Sequence, residues 1–232
     1  MKNLNIFSLI SEYENAKSGG VLDVPNVSFI YEDSSVRCLL KNIPTHNEYV
    51  NLGLPSGLKW ATYNVGASSP EEYGLYFAWG ETTGYTADDV TSGVRGFTDD
   101  EYNTGPAASI STNLTLEHDA AHIYMGGSWR MPTKDEFQEL LNNCNVMQTE
   151  DYNGTGVKGL VFTSKSNGKS VFFPAAGNCA HSSVYNVGSC GIYWSASWDS
   201  ASDAWELDFN SGWKGMGYNI RYYGCSVRAV CE

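Results

Sequence analysis

Residues 191–228 read GIYWSASWDSASDAWELDFNSGWKGMGYNIRYYGCSVR. This stretch decides how the rest of the chain is understood. It carries four of the seven tryptophans, Trp194, Trp198, Trp205 and Trp213, among Ser, Asp, Asn and Gly. Core strands ordinarily carry Val, Ile and Leu, which are sparse here. Rings beside small polar residues are the composition of binding loops, because rings give contact area at low side-chain entropy and Ser, Gly and Asn give adaptable hydrogen bonds. Tyr193, Trp194, Leu207, Phe209 and Val227 fall at strand-like positions with apolar neighbours and are assigned to the core. Trp198, Trp205, Trp213, Tyr218, Tyr222 and Tyr223 are flanked by Gly, Ser and Asp; burying all six would leave many polar groups needing partners. The expectation is a recognition surface held by the preceding chain.

The composition agrees with a loop-rich, β-containing globular protein. Charged residues make up 17% and aromatics 13% of the 232 residues, with 24 glycines. A formal net charge of −12 without a Lys/Arg cluster argues against nucleic-acid binding, since nothing would neutralise phosphates. The start, MKNLNIFSLISEYENAKSGG, is a poor signal peptide and too short to insert in a membrane. Six cysteines are too few for a disulfide scaffold, and no CxxC occurs. Mostly free thiols are expected, with Cys179–Cys190 and Cys225–Cys231 the pairs to test.

Upstream of this stretch, residues 1–45 read as a small attachment segment: a short helix over NIFSLISEY, then VPNVSFIYED and SSVRCLLKN as a hairpin across Glu32–Ser35. IPTHNEY reads as a linker. Residues 46–232 form the main domain. There Trp60 lies on a strand, and SSPEEYG opens a short helix capped by Ser68 or Ser69. Residues 81–113 are a long polar surface excursion. A helix over LEHDAAHIYM ends at Gly126. The clearest helix follows in WRMPTKDEFQELLNNC, with Thr133 as cap, Glu136 closing a capping box, and Phe137, Leu140 and Leu141 on one apolar face. GLVFTSKSNGKSVFFPAAG is a hairpin joined at Asn167-Gly168.

Candidate chemistry is thin. His118 and His122 share a four-residue spacing but have no third zinc ligand. Asp99, Asp100, Glu101 and Asn103 lack the alternation of a calcium loop and read as a solvated turn. Cys225 and Cys231 have only Arg228 nearby to activate a thiol and read as buried small hydrophobes. No nucleophile elbow, phosphate loop or dinucleotide fingerprint is present. The chain is expected to be no enzyme, with no metal and no cofactor.

NLGLPSGLKWATYNVGASSPEEYGLYFAWGET, GGSWRMPTKDEFQELL, VFFPAAG, GIYWSAS and the terminal YGCSVRAV together resemble a bacterial group with a C-type lectin fold, related to formylglycine-generating enzymes. Within that group the C-terminal part is similar to the variable proteins of diversity-generating retroelements. The resemblance implies an α+β, C-type lectin-like fold of the formylglycine-generating-enzyme-like subtype, with short strands, two or so helices and long irregular loops. It also implies a phage- or cell-surface-displayed, extracellular receptor or adhesin with a diversifiable face over about 178–223, and a macromolecular partner, a protein or cell-surface component. The ligand-binding set on that reading is His181, Tyr185, Cys190, Ile192, Trp198, Asp199, Ser200, Ser202, Asp203, Trp205, Trp213, Gly215, Gly217, Tyr218, Asn219, Ile220 and Tyr223. Many of these are reachable from an AAC codon through its first two bases; Trp198, Trp205, Glu206, Trp213, Lys214 and Met216 are not. The enzyme relatives use two C-terminal cysteines with copper. SVRAV replaces their Gly-Phe-Arg-Cys pattern here, so cysteine oxidation is the alternative, as is a structural role in a phage tail or adhesin.

Overall fold

A computed structural model describes residues 28–32, 35–39 and 48–232. In chain order the strands are β1 (Ser28–Glu32), β2 (Ser35–Leu39), β3 (Tyr49–Asn51) and β4 (Lys59–Ala61). The helices are α1 (Ala87–Thr91), α2 (Asp99–Asn103), α3 (Ala120–Met125) and α4 (Lys134–Asn143). Then follow β5 (Cys144–Thr149), β6 (Gly159–Ser164), β7 (Ser170–Pro174), β8 (Asn178–Ala180) and β9 (Ser183–Tyr185). The last strands are β10 (Gly191–Trp198), β11 (Asp203–Phe209), β12 (Lys214–Ile220) and β13 (Val230–Cys231).

The chain divides into two compact units, Met1–Ile43 and Pro44–Glu232. In the first, β1 and β2 pair as an antiparallel hairpin with Glu32 opposite Ser35, as the alternation of the two runs predicts. The helix expected over NIFSLISEY, and residues 43–47 of the expected linker, lie outside the described residues.

In the second unit the strands form small antiparallel sheets, ordered β13-β4-β3, β5-β6-β7, β8-β9 and β10-β11-β12. Isolated bridges stitch them together, among them Tyr193 to Ser226 and Cys179 to Gly224. Strand outweighs helix, and the sheets close into no barrel among the described residues. This corrects the expected α+β, C-type lectin-like class: the architecture is β-rich and does not reproduce that fold. The motifs behind the resemblance are local devices, a capping box and strand–turn patterns. Such devices fix single elements and leave open how the sheets are assembled.

Those local devices form as read. Thr133 accepts from the Glu136 amide and the Glu136 carboxylate answers at the Thr133 amide, while Arg130 clamps that carboxylate at 2.6 and 2.8 Å. Helix α3 stops at Gly126, whose φ of 69° is the left-handed region that glycine enters without a Cβ penalty. The β6–β7 connection is longer than a two-residue turn. Ser164 Oγ accepts from the amides of Ser166 and Asn167 and organises a wider loop. Two expectations fail. SSPEEYG is a turn, because the Glu72 carboxylate folds back onto the Ser68 amide and hydroxyl and closes the chain on itself. Residues 81–113 are no surface excursion: α1 and α2, each with its own Thr capping box, drive Val90, Phe97, Tyr102 and Ala107 into a core cluster with Tyr76 and Cys179.

The β10-β11-β12 sheet stands between the two larger clusters. On one face α4 lays Phe137 and Leu140 against Tyr193, Leu207 and Phe209. On the other, Ile192, Trp194, Ala204, Cys225 and Val227 pack with Phe77, Trp79 and Trp129. Two buried arginines fasten this arrangement. Arg228 donates to Asn64 Oδ1 and the Ala61 carbonyl, and its guanidinium, pushed down to about 10 by burial, lies over Phe173. Arg221 donates to Tyr102 Oη and the carbonyls of Ala107 and Ala201, tying the end of β12 to the α2 region.

Candidate ligand-binding face

What covers each strand decides which rings reach solvent. β10 and β12 both end the β10-β11-β12 order, but β10 is buried over Gly191–Ser197 and bridged at Tyr193 to Ser226, whereas β12 is half-exposed along most of its length. Tyr193 and Trp194 are accordingly fully buried, with Trp194 Nε1 donating to the Phe77 carbonyl at 2.8 Å. Leu207, Phe209 and Val227 are also in the core. Trp213 and Tyr218 are 48% and 65% exposed.

The period of two along each strand then splits the predicted residues between faces. Direct partners share a face, so Trp205, opposite Tyr218, lies on the α4 face. There Lys134 Nζ sits 3.1 Å over the Trp205 ring and Tyr218 meets it edge-on at 6.1 Å. On the opposite face the β12 residues are Gly215, Gly217 and Asn219, opposite Asp208, Glu206 and Ala204. Trp198, opposite Ala204, belongs to this side and packs against the core. At the hairpin tip, Asn210 Oδ1 accepts from the amides of Gly212 and Trp213, and the indole of Trp213 lies over Gly215. A cleft of about 350 Å³ opens beside it, lined by Val146, Gln148, Leu160 and the Asn210–Lys214 turn.

The remaining predicted residues fall into other groups. Ser200, Ser202 and Asp203 bond to one another in the β10–β11 turn, and Asp199 adjoins them half-exposed. Ser202, Asp203 and Ile220 line a second cleft of about 300 Å³ with Asp99, Tyr102 and Tyr222. Tyr223 is half-buried, edge-on to Tyr222 and packed on the core. His181 and exposed Tyr185 stand on the separate β8-β9 hairpin, where His181 takes a φ of 51° at its turn. Cys190 follows that hairpin and packs against the core. Ile192 is a correction: at 8% exposure it belongs to the core, because it stands on the strand that both clusters cover.

Reading the sequence for surface residues missed the most perturbed group on this sheet. Glu206 is 4% exposed, and its Oε2 has no hydrogen-bond partner among the described residues. Burial first, and the charge of Asp208 second, push its carboxyl up to about 8 against the opposing hydrogen bond from Asn219. Burial also raises Asp208. The signal was in WELDF, where Trp205, Leu207 and Phe209 alternate with Glu206 and Asp208.

The other weighed clusters are separated or engaged in structural contacts. His118 and His122 lie on different elements, and each ring faces a backbone carbonyl, of Gly80 and Trp129. Asp119 caps α3 and also accepts from the Met131 amide. No group of three His, Cys, Asp or Glu suited to a metal occurs among the described residues. The thiols of Cys225 and Cys231 are buried and pushed up by that burial, the reverse of activation. The described cysteines, Cys144, Cys179, Cys190, Cys225 and Cys231, are free. No helix among the described residues is long and apolar enough to cross a membrane.

Residues 160–230, running from β6 to β13, match a family described as a domain of unknown function (DUF8237). No curated protein and no solved structure matches the chain.

Proposed function

We propose that this protein is a non-enzymatic binding protein that presents the β11–β12 hairpin to a macromolecular ligand, a protein or a cell-surface component met outside the cell or from a phage particle. The single observation that carries the reading is the contrast within one sheet. Tyr218 on the end strand β12 and Trp213 in the turn before it are exposed, while the equally large Tyr193 and Trp194 are wholly buried. Exposed rings at an edge, beside the 350 Å³ cleft and the cationic Lys134, form the kind of anchor that interfaces concentrate their energy on. The diversification that the resemblance implies is part of the same proposal. A near-copy of the 3′ end beside a reverse transcriptase supports it; the absence of one removes diversification and leaves the binding face standing.

A photo-crosslinking phenylalanine analogue placed at Tyr218 tests the face, with Met147, 70% exposed on β5, as the control position. Incubated with intact bacterial cells, the Tyr218 probe is expected to give a discrete adduct that Trp213→Ala abolishes. Adducts equal from both positions, or unchanged by Trp213→Ala, overturn the assignment.

A further inference from the structure

β12 has one bonded edge and one free one. Its register with β11 runs unbroken from Lys214 opposite Phe209 to Ile220 opposite Asp203, and backbone bonds from Asn210 to Trp213 and from Arg221 to Ser202 close the two ends. Antiparallel pairing alternates bonded and unbonded pairs. Gly215, Gly217 and Asn219 therefore turn their amides and carbonyls to β11, while Lys214, Met216, Tyr218 and Ile220 turn theirs away. Ile220 is satisfied locally: its amide donates to Asn219 Oδ1 and its carbonyl accepts from the Tyr223 amide. The outward amides and carbonyls of Lys214, Met216 and Tyr218 bond to no other element among the described residues. β10, at the other end of the same sheet, is finished differently. Ser226 donates to its Ile192 carbonyl and accepts from its Trp194 amide, Ala196 bonds to Pro132 and Leu114, and the Trp198 amide donates to Asn113 Oδ1. Proteins ordinarily blunt a free strand edge with proline, bulges or charges. β12 has no proline, no break in its register, and a single charge, Lys214, at its first position.

We propose that an extended polypeptide segment of the ligand adds to this edge as a fourth strand of the β10-β11-β12 sheet. This rests on the reading of β11–β12 as the ligand face and narrows the ligand to a protein. Amides and carbonyls repeating at strand spacing are the complement of another extended backbone, a repeat that a glycan or a lipid headgroup does not carry. The guest's side chains are constrained as well. Those opposite Lys214, Met216 and Tyr218 fall on the face that bears α4. There Tyr218 and half-buried Met216 offer apolar surface, and Lys214 offers a positive charge on the same face as Lys134. A segment with apolar residues at alternate positions and a carboxylate opposite Lys214 fits this pattern. The 350 Å³ cleft at the Lys214 end, walled by Trp213, Val146 and Leu160, gives a further side chain of that segment a socket.

The experiment titrates the full-length protein with the peptide acetyl-Thr-Val-Thr-Val-Thr-Glu-Thr-amide and follows backbone amide NMR shifts. Run antiparallel to β12, its glutamate stands opposite Lys214 and its valines opposite Met216 and Tyr218. Two N-methylated forms run in parallel: methylation at the two valines removes donors that face β12, and methylation at the two inner threonines removes donors that face away. Saturable shifts are expected at Lys214, Met216 and Tyr218, with the valine-methylated peptide binding at least about tenfold more weakly than the threonine-methylated one. Met216→Pro deletes an outward amide and leaves the β11 ladder bonded, whereas Met216→Ala loses the same side chain and keeps the amide. The proline variant should bind the peptide at least about tenfold more weakly than the alanine variant; should it fail to fold, the methylated peptides decide the matter on the unaltered protein. No saturation, equal affinity of the two methylated peptides, or shifts centred on Val146 and Gln148 of the end strand β5 overturns the inference. So does a concentration-dependent dimer in sedimentation equilibrium that Met216→Pro abolishes, because a second copy then fills the edge. If the peptide fails while Tyr218 crosslinking to cells persists, this inference alone falls; the opposite pattern removes only the cell-surface reading.

Discussion

β10 and β12 belong to one three-stranded sheet and lie about twenty residues apart, yet their rings meet opposite fates. β10 is sandwiched: Tyr193 packs into the cluster under α4 and Trp194 into the cluster behind the sheet. β12 is at the edge, with α4 beside it on one face and glycines on the other, and its Tyr218 remains 65% exposed. Ring content therefore does not separate core from surface in this chain. What covers the strand does: β10, though also at an end of the sheet order, is bridged to Ser226 and buried along its length, whereas β12 is half-exposed.

The contrast is broken most directly at Trp194. Its indole is fully buried and its N–H satisfies the Phe77 carbonyl. Trp194→Ala is expected to cost about 3–5 kcal/mol, the usual range for an aromatic truncated in a core. Urea denaturation followed by far-ultraviolet circular dichroism measures it. A cost near that of a surface substitution would mean that β10 is not the buried partner in the comparison.

Glu206, between the two strands on β11, gives the next largest effect. An unfolded glutamate titrates near 4.5, whereas this one is pushed up to about 8. Between those values the folded protein holds a proton that the unfolded chain releases. Stability is thus full below about pH 4.5, declines as pH rises and levels off above about 8, a total on the order of a few kcal/mol. Asp208 and Asp119 are raised in the same direction, so the informative quantity is the difference from Glu206→Gln. Urea midpoints of the two proteins from pH 5 to 8.5 should diverge, the wild type losing stability faster. Parallel slopes would place the Glu206 carboxyl in water.

A smaller effect is expected at the helix that covers the shared face of β10 and β12. Thr133→Ala removes the N-cap of α4 and should cost about 1 kcal/mol. It also sharpens the comparison, because fraying of α4 should loosen Lys134 over Trp205 and increase indole solvent exposure, read by fluorescence quenching. An unchanged midpoint with unchanged quenching would mean that the cap and the Lys134 contact are not coupled.

Local elements were legible in the sequence wherever one short pattern determines one structure. TKDE fixed the start of α4, Gly126 the end of α3, and Glu32–Ser35 the first hairpin. The assembly of small sheets was not legible, because bridges such as Tyr193 to Ser226 join residues far apart and leave no periodic trace. Residues 81–113 misled for a related reason: Val90, Phe97 and Tyr102 are single apolar residues in polar surroundings, yet they converge in space. At the candidate face the core rings were separated correctly from Trp213 and Tyr218. What escaped was the division of Trp205 and Tyr218 from Gly217 and Asn219, and with it Glu206, since the rings were read as one surface and the alternation of WELDF was not followed.

The smallest predicted effect discriminates best. Tyr218→Ala removes a ring that meets the edge of Trp205, from a position 65% exposed on an edge strand. Its effect on folding should stay within about 0.5 kcal/mol, as for surface substitutions that leave no cavity or unpaired group. A ring that contributes so little to the fold has no structural reason to be large and apolar where it is. If Tyr218→Ala leaves the denaturation midpoint in place while abolishing ligand capture, the ring serves the ligand. If instead it destabilises the protein as Trp194→Ala does, then β12 is packed like β10, and the two strands differ in exposure without differing in purpose.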